Sequence, residues 1–171
     1  MQKTFKNFIF SIHLLLLIII FTLCFAFSVY FFISILNEKT LKNSDTISNQ
    51  IYTSMYQVMK LGWSRDDLNN FSNTLNENFK DSQYSVHIYR NNNVIAQYGE
   101  VAERVKDKAV VDSLNKGKTI ESFEENISRK IIPIHAKQEC LSCHINVKVG
   151  DTLGVIDIET DLSDIFSEFG S

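Results

Sequence analysis

Two different patterns of hydrophobic residues divide the sequence near residue 36. From Phe8 to Leu36 the chain runs for 29 residues without Asp, Glu, Lys or Arg. Because a helix rises about 1.5 Å per residue, about 20 apolar residues are enough to cross the hydrocarbon core of a bilayer. The run therefore predicts a transmembrane anchor at residues 8–36, preceded by a short cytoplasmic N-terminus at residues 1–7.

A cleaved signal peptide is the alternative interpretation of this segment. Such peptides have a positive start, here Lys3 and Lys6, but only about 7–15 apolar residues before a small-residue cleavage site. The best such site, Ala26-Phe27-Ser28, would leave a mature chain that begins with a run of large apolar residues. We therefore favour an uncleaved anchor, and the two lysines predict a cytoplasmic N-terminus and an exported remainder.

After the anchor, apolar residues recur first at helical and then at strand spacings. Spacings of three and four predict a helix from Asn37 to Lys60, which continues the anchor outward as a stalk, and a second helix that starts at Ser64. Alternation with period two, broken by turn residues, predicts most later elements. The stalk's apolar residues are Leu41, Ile47, Ile51, Met55, Val58 and Met59, and those of the second helix are Leu68, Phe71, Leu75 and Phe79. The later elements are a hairpin of Tyr84–Tyr89 and Val94–Tyr98, a helix at Val101–Asn115, strands at Thr119–Phe123, Ile127–His135 and Thr152–Thr160, and a final helix through Phe169.

This order of elements predicts an α+β fold. Few long crossovers join the strands, so we expect an antiparallel sheet with helices on one face or end. Pro133 predicts that its part of the strand lies at an edge or leaves the N–H side unpaired. Asp157, Glu159 and Asp161 alternate along the last strand and are predicted to face solvent.

Composition and charge narrow the possible functions. The whole chain has a net charge of −3 and a mean hydropathy of −0.06, but residues 37–171 hold all 20 acidic and 15 of the 17 basic residues. These 135 residues can bury one modest core, which excludes a multidomain enzyme. An acidic domain without a basic stripe argues against a nucleic-acid partner. No catalytic triad, carboxylate pair or phosphate loop stands out, so we expect no enzymatic activity.

One motif carries chemistry, Cys140-Leu141-Ser142-Cys143-His144. Two thiols separated by two residues can form thioether bonds to the two vinyl groups of a haem, and the adjacent imidazole then reaches the iron as its proximal ligand. The short loop holds both sulfurs along one edge of the porphyrin. We therefore predict one covalently attached haem c, with Cys140 and Cys143 as attachment residues and His144 as the iron ligand.

Four alternative uses of these residues stay open. A disulfide between Cys140 and Cys143 gives His144 no role, and a thioredoxin-type redox pair needs a strand that leads into a helix. A zinc site needs two further ligands, of which His135 could supply one, and an iron–sulfur cluster needs four thiolates.

The sequence leaves the ligand on the other side of the iron open. The candidate donors are Met55 and Met59, one turn apart on the stalk, and His87 and His135. Core packing is the simpler interpretation of each methionine, and a solvent-facing strand position is the simpler one for His87. A methionine ligand would raise the reduction potential, whereas an open or water-filled position would suit the binding of a small gas.

The exported part resembles the periplasmic haem-c sensor domains with a PAS-like fold that begin bacterial chemotaxis receptors, sensor kinases and cyclic-dinucleotide enzymes. The resemblance covers roughly residues 37–165. It implies that Cys140 and Cys143 form the thioethers and that His144 is the proximal ligand, and it favours Met55 or Met59 as the distal one. It also implies that the Gly150-Asp151 turn and Gly154 let the last strand return beneath the haem loop. The resemblance rests on Ile132-Pro133-Ile134-His135-Ala136, the motif itself, the segment from Val149 to Ile158, and a helix around Val111–Lys118.

The resemblance implies a membrane-anchored sensor of redox state or of a small diatomic ligand. It would reside in the bacterial inner membrane, with the domain at residues 37–171 in the periplasm. Family members usually continue into a second membrane helix and an output domain, whereas this sequence ends at Ser171. We therefore expect signalling through a homodimer or a membrane receptor partner. A membrane-anchored mono-haem electron carrier is the alternative function.

Overall fold

The structure, a computed structural model, describes residues 2–62, 65–80, 82–99 and 106–169. The chain forms two compact units, Met1–Lys39 and Thr40–Ser171. The helices are α1 (Gln2–Met59), α2 (Arg65–Phe79), α3 (Asn92–Tyr98), α4 (Lys108–Lys116) and α5 (Ser163–Phe169), and a short 3-10 helix covers Gln138–Ser142. The strands are β1 (Tyr84–Arg90), β2 (Ile120–Glu124), β3 (Ile127–His135) and β4 (Thr152–Asp161).

Helix α1 contains both the apolar run and the predicted stalk. Its most apolar 18-residue window has a mean hydropathy of 2.8, and it is long and apolar enough to cross a membrane. Polar side chains within the run bond to carbonyl oxygens of their own helix, as Ser28 does to Cys24 at 2.9 Å and Thr22 to Ile19 at 2.9 Å. Such bonds satisfy hydroxyl groups where no water is available. The helix ends before Gly62, whose φ of +86° suits glycine better than other residues.

The buried face of the stalk is more polar than the sequence predicts. Ile51 and Met55 are buried as expected, but the N-terminal part of that face consists of Thr40, Ser44 and Ser48. The hydroxyl of Ser44 donates to the carbonyl oxygen of Thr40 at 3.1 Å, so this polar group is satisfied within the helix. Leu41 and Ile47 of the expected stripe are only half-buried, although Ile47 still packs against the core beside Ile51.

The four strands form one antiparallel sheet in the order β1-β4-β3-β2, which confirms the α+β class. The last strand in the sequence, β4, lies between β1 and β3, and its residues 154–158 are all buried. Pairing between β2 and β3 ends at Ile120 and Ile131, two residues before Pro133. The proline therefore lies where β3 has lost its β2 neighbour, as predicted.

Helices cover both faces of this sheet, whereas the sequence predicts them on one face or end. Tyr89, Ile131 and Val155 pack against Val110 and Leu114 of α4. On the opposite face the core contains Ile51 of α1 and half-buried residues of α2. That core is built by Ile51, Val86, Ile156 and Ile158, with Phe71, Leu75 and Phe79 packed against it.

Asp157 lies two residues after Val155 on β4 and therefore on the face of the sheet that α4 covers. The predicted solvent exposure of Asp157 is wrong, because the residue is completely buried beside α4, while Asp161 is exposed. Arg129 donates from Nε and Nη2 to the Asp157 carboxylate at 2.9 and 2.6 Å, so the buried charge is paired.

Two helices differ from the predicted elements. Residues Val94–Tyr98 form part of α3 and not the second strand of a hairpin, because the side chain of Asn91 caps the helix by accepting a bond from the backbone nitrogen of Asn92 at 2.7 Å. Helix α4 begins at Lys108 because Asp107 caps it through a 2.9 Å bond from the nitrogen of Val110. The predicted helical residues 101–105, like the predicted start at residue 64, lie outside the described residues.

Candidate functional site

The Cys140–His144 segment lies on a loop that leaves β3 and returns to β4. Within it the nitrogens of Cys143 and His144 both donate to the carbonyl oxygen of Cys140, at 3.2 and 2.9 Å. At the base of the loop, Ala136 exchanges 2.8 Å backbone bonds with Asp151 and Gly150. The loop is thus closed at its base and internally bonded, so its three candidate side chains, Cys140, Cys143 and His144, lie on one small structure.

The two thiols of the motif are free and differ in exposure. Cys140 is 9% exposed and its sulfur accepts a bond from the backbone nitrogen of Lys137 at 3.4 Å. Cys143 is exposed. In the part of the chain that the structure describes, no group of three or more His, Cys, Asp or Glu side chains is arranged to hold a metal ion.

A cavity of about 640 Å³ lies beside the loop. This volume falls in the range of pockets for cofactors and other small ligands. Its wall is mostly apolar and aromatic, with the cations Lys60 and Arg90 and the anion Glu139 among the lining residues. The wall includes Tyr52, Met55, Tyr56 and Met59 of α1, Ile88 and Tyr89 of β1, Val94 and Tyr98 of α3, Cys140, Cys143 and His144 of the loop, and Leu153 and Gly154 of β4.

His144 is held with its ring half-buried in this wall. Its Nδ1 atom is buried and has no hydrogen-bond partner among the described residues. Burial lowers the pKa of His144, and the positive charge of Arg90 lowers it further. The imidazole is therefore neutral near physiological pH, which is the form that binds a metal.

Two residues of α3 that the sequence analysis did not identify hold the loop next to His144. The Nε2 atom of Gln97 donates to the carbonyl oxygen of Cys143 at 2.7 Å, and its Oε1 accepts from the nitrogen of Ile145 at 3.2 Å. The hydroxyl of Tyr98 donates to the same Cys143 oxygen, and its ring meets the His144 ring edge-on at 5.3 Å. Because this segment is predicted as a strand, no sequence signal points to these contacts.

The tyrosine hydroxyl is suited to this donor role. Burial raises the pKa of Tyr98, and the nearby Cys143 adds to the rise while Arg90 opposes it. Tyr98 therefore stays protonated at physiological pH and keeps a proton to donate. The guanidinium of Arg90 is itself anchored by a 2.8 Å bond to the carbonyl oxygen of Gly99, just beyond α3.

The four candidate distal ligands lie in different places. Met55 and Met59 both line the cavity, and Met55 is buried. The Nε2 atom of His87 lies 3.0 Å from the hydroxyl of Ser85, on β1. The Nδ1 atom of exposed His135 lies 3.2 Å from the carbonyl oxygen of Gly150. Neither histidine is among the described residues that line the cavity, so of the four candidates only the two methionines share the cavity with Cys140, Cys143 and His144.

Gly154 allows β4 to pass close to β1 at the cavity wall. A Cβ atom at this position would collide with the backbone oxygen of Tyr89. Gly150 precedes β4 with a φ of +93°, a conformation that favours glycine in the turn before the strand.

Comparison with known proteins gives no family assignment. No protein-family model matches the chain, and no curated protein is significantly similar to it.

Proposed function

We propose that this chain is a membrane-anchored sensor module that binds one covalently attached haem c. The observation that carries the proposal is that Cys140, Cys143 and His144 line one apolar cavity together with Met55 and Met59. These are the side chains that would attach a haem at one edge and supply its axial ligands.

Three features of the cavity fit a haem. Two thiols and a neutral imidazole lie on one loop, and all three side chains line the cavity. The wall is mostly apolar, as the faces of a porphyrin require. Lys60 and Arg90 supply positive charge that can pair with the carboxylates of a haem.

When bound, a haem supplies an iron that changes redox state and can take up a small diatomic ligand at an open position. The residues of this chain would hold it and limit access to it. Cys140 and Cys143 would attach it, His144 would bind the iron, and the apolar wall would surround the porphyrin. Met55 or Met59 would supply the other protein ligand, and either residue would couple the haem to α1.

The cellular setting follows from the anchor. Thioether attachment of haem takes place outside the cytoplasm, and Lys3 and Lys6 favour a cytoplasmic N-terminus. We therefore place residues 37–171 in the periplasm of a bacterium, as a PAS-like domain tethered to the inner membrane. A homodimer or a membrane receptor partner would carry the signal onward.

A membrane-anchored mono-haem electron carrier is a second candidate function, and one observation favours it. Cys143 is exposed, so the porphyrin edge attached there would lie near the surface, as electron exchange with a partner requires. Proteins of this second kind keep both axial positions filled and react slowly with gases.

Haem staining on a denaturing gel tests the cofactor. The wild-type chain should stain, Cys140→Ala and Cys143→Ala should each weaken the stain, and the double variant should lose it. The variant Cys24→Ala is the matched control, because this thiol lies in the apolar part of α1. Persistent staining of the double variant would contradict the proposal.

Absorption spectra separate gas sensing from redox sensing and electron transfer. Spectra of ferric and ferrous protein are recorded with and without carbon monoxide or nitric oxide, in the wild type, Met55→Leu and Met59→Leu. A spectrum that changes with gas supports the gas sensor. A His/Met spectrum that does not change with gas favours redox sensing or electron transfer. If this spectrum is lost in only one of the two variants, the methionine replaced in that variant is the distal ligand.

A further inference from the structure

We infer that Gln97 and Tyr98 of α3 form a clamp that positions His144 as the axial ligand. This inference rests on the proposed haem function. Gln97 bonds to the backbone on both sides of the histidine, through the carbonyl oxygen of Cys143 at 2.7 Å and the nitrogen of Ile145 at 3.2 Å. Tyr98 donates a second bond to the same carbonyl oxygen.

The clamp acts on His144 through its two neighbours in the chain. A side chain that holds the peptide groups before and after a residue fixes the position and direction of that residue's Cα–Cβ bond. The ring of Tyr98, edge-on at 5.3 Å with an interplanar angle of 78°, then restricts rotation of the imidazole. Gln97 reaches across 46 residues of sequence to make these contacts, so the clamp ties the haem loop to the end of β1 and α3.

Positioning is needed because the buried Nδ1 atom of the imidazole has no hydrogen-bond partner among the described residues. Histidines that bind metals usually donate their second nitrogen to a carboxylate or carbonyl group, which fixes the ring. Nδ1 of His144 has no such partner among the described residues. The backbone clamp and the packing of Tyr98 supply the orientation that this second bond supplies elsewhere, and the neutral amide of Gln97 adds no charge to the cavity.

The test uses full-length, haem-loaded protein in detergent micelles. Nitric oxide bound to ferrous haem weakens the bond on the opposite side of the iron, so the ratio of five- to six-coordinate nitrosyl haem reports how firmly His144 is held. Gln97→Ala should raise this ratio about 10-fold, the lower end of the effect of removing a residue that orients a metal ligand. Tyr98→Phe keeps the ring and loses one hydrogen bond, so we expect about a 5-fold rise, equivalent to about 1 kcal/mol.

Two further variants separate the clamp from general damage to the loop. Gln97→Glu keeps an acceptor for the nitrogen of Ile145 but loses the donor to Cys143, so its ratio should rise at least as much as in Tyr98→Phe. Gln138→Ala removes an exposed glutamine from the same loop and should change the ratio by less than about 2-fold. Hydrogen exchange at the amide of Ile145, about 10-fold faster in Gln97→Ala, gives a readout that needs no haem.

The outcomes distinguish the two proposals. If the wild type carries no covalent haem, the proposed function is wrong, and with it the positioning of an iron ligand. If all variants attach haem but Gln97→Ala and Tyr98→Phe show the wild-type ratio, the clamp is wrong while the haem function stands. A rise in Gln138→Ala as large as that in Gln97→Ala would also refute the clamp, because the effect would then come from disturbing the loop at any point.

Discussion

Replacing Arg129 with methionine should destabilise the sheet by leaving a buried carboxylate without its partner. Arg129 on β3 makes two bonds to Asp157 on β4, at 2.9 and 2.6 Å, and a third to Asp107 at 2.6 Å. The Asp157 side chain is 1% exposed, so water cannot replace the lost guanidinium. Breaking a buried ion pair by removing one partner costs about 3–5 kcal/mol. We expect about 3 kcal/mol near neutral pH, because the arginine itself keeps 19% of its side chain exposed.

The pH dependence of this loss has a definite sign. Burial raises the pKa of Asp157 above its ordinary value, and the hydrogen bonds and charge of Arg129 oppose that rise. Without Arg129 the pKa in the folded state rises further, so the folded variant binds a proton more readily than the unfolded chain does. Protonation then favours folding, and this contribution is lost as the pH rises through the folded-state pKa. The difference in free energy of unfolding between the variant and the wild type should therefore become smaller as the pH falls toward about 4.

Urea-induced unfolding of the full-length protein in detergent micelles, followed by circular dichroism, measures the loss. Adding Asp157→Asn to Arg129→Met removes the buried charge and should restore most of the stability. Lys116→Met is the matched control, since its ion pair with Asp112 is exposed and should contribute less than about 1 kcal/mol. A loss in Arg129→Met no larger than in this control, or one that widens in acid, would refute the reasoning.

Three further substitutions test the sheet and the helix cap. Gly154→Ala should lower the free energy of unfolding in urea by about 1–3 kcal/mol, because its Cβ would collide with the backbone of Tyr89. On the proposed function it should also lower the haem bound per chain. Unchanged stability would contradict the close approach of β4 to β1. Ile156→Ala, at a fully buried position, should lower the free energy of unfolding by about 2–5 kcal/mol. The control Ile127→Ala changes a side chain that is 40% exposed and should lower it much less. Asp107→Ala should cost about 1 kcal/mol near neutral pH by removing the cap of α4. Although burial alone would raise the pKa of Asp107, hydrogen bonds to the helix and to Arg129 lower it. The stability lost in Asp107→Ala should therefore disappear in acid, where the wild-type carboxylate is protonated too. Thermal unfolding across pH measures this, and a loss that grows in acid would count against the cap.

Much of the fold could be predicted because its signals are local. The run from Phe8 to Leu36 contains no charge to interrupt it, and the strand at Ile127–His135 and the helix end at Gly117 have the expected alternation and turn residues. Val94–Tyr98 was mispredicted because five residues fit both one turn of a helix and a short alternating strand. The capping bond of Asn91 decides between them, and that bond exists only in the folded backbone.

The candidate site also has a part that the sequence predicts and a part that only the fold decides. The spacing of Cys140, Cys143 and His144 is a property of the sequence, and it predicts the cofactor without any knowledge of the surroundings. The choice of the distal ligand among the methionines and histidines is not a property of the sequence alone, because it depends on which side chains the fold brings to one cavity. Met55 and Met59 line it, whereas His87 lies on β1 and bonds to its own strand.

By itself the sequence determined the long apolar helix, the spacing of Cys140, Cys143 and His144, and the α+β class, since each depends on residues that lie close together in the chain. The tertiary structure alone decided that helices cover both faces of the sheet, and that Asp157 is therefore buried and paired with Arg129. It also alone brought Gln97 and Tyr98 against the loop that carries His144. The physical reason is that contacts between residues far apart in sequence follow from how the β1–α3 connection and the loop between β3 and β4 pack against β4. Neither residue type nor local spacing encodes that packing.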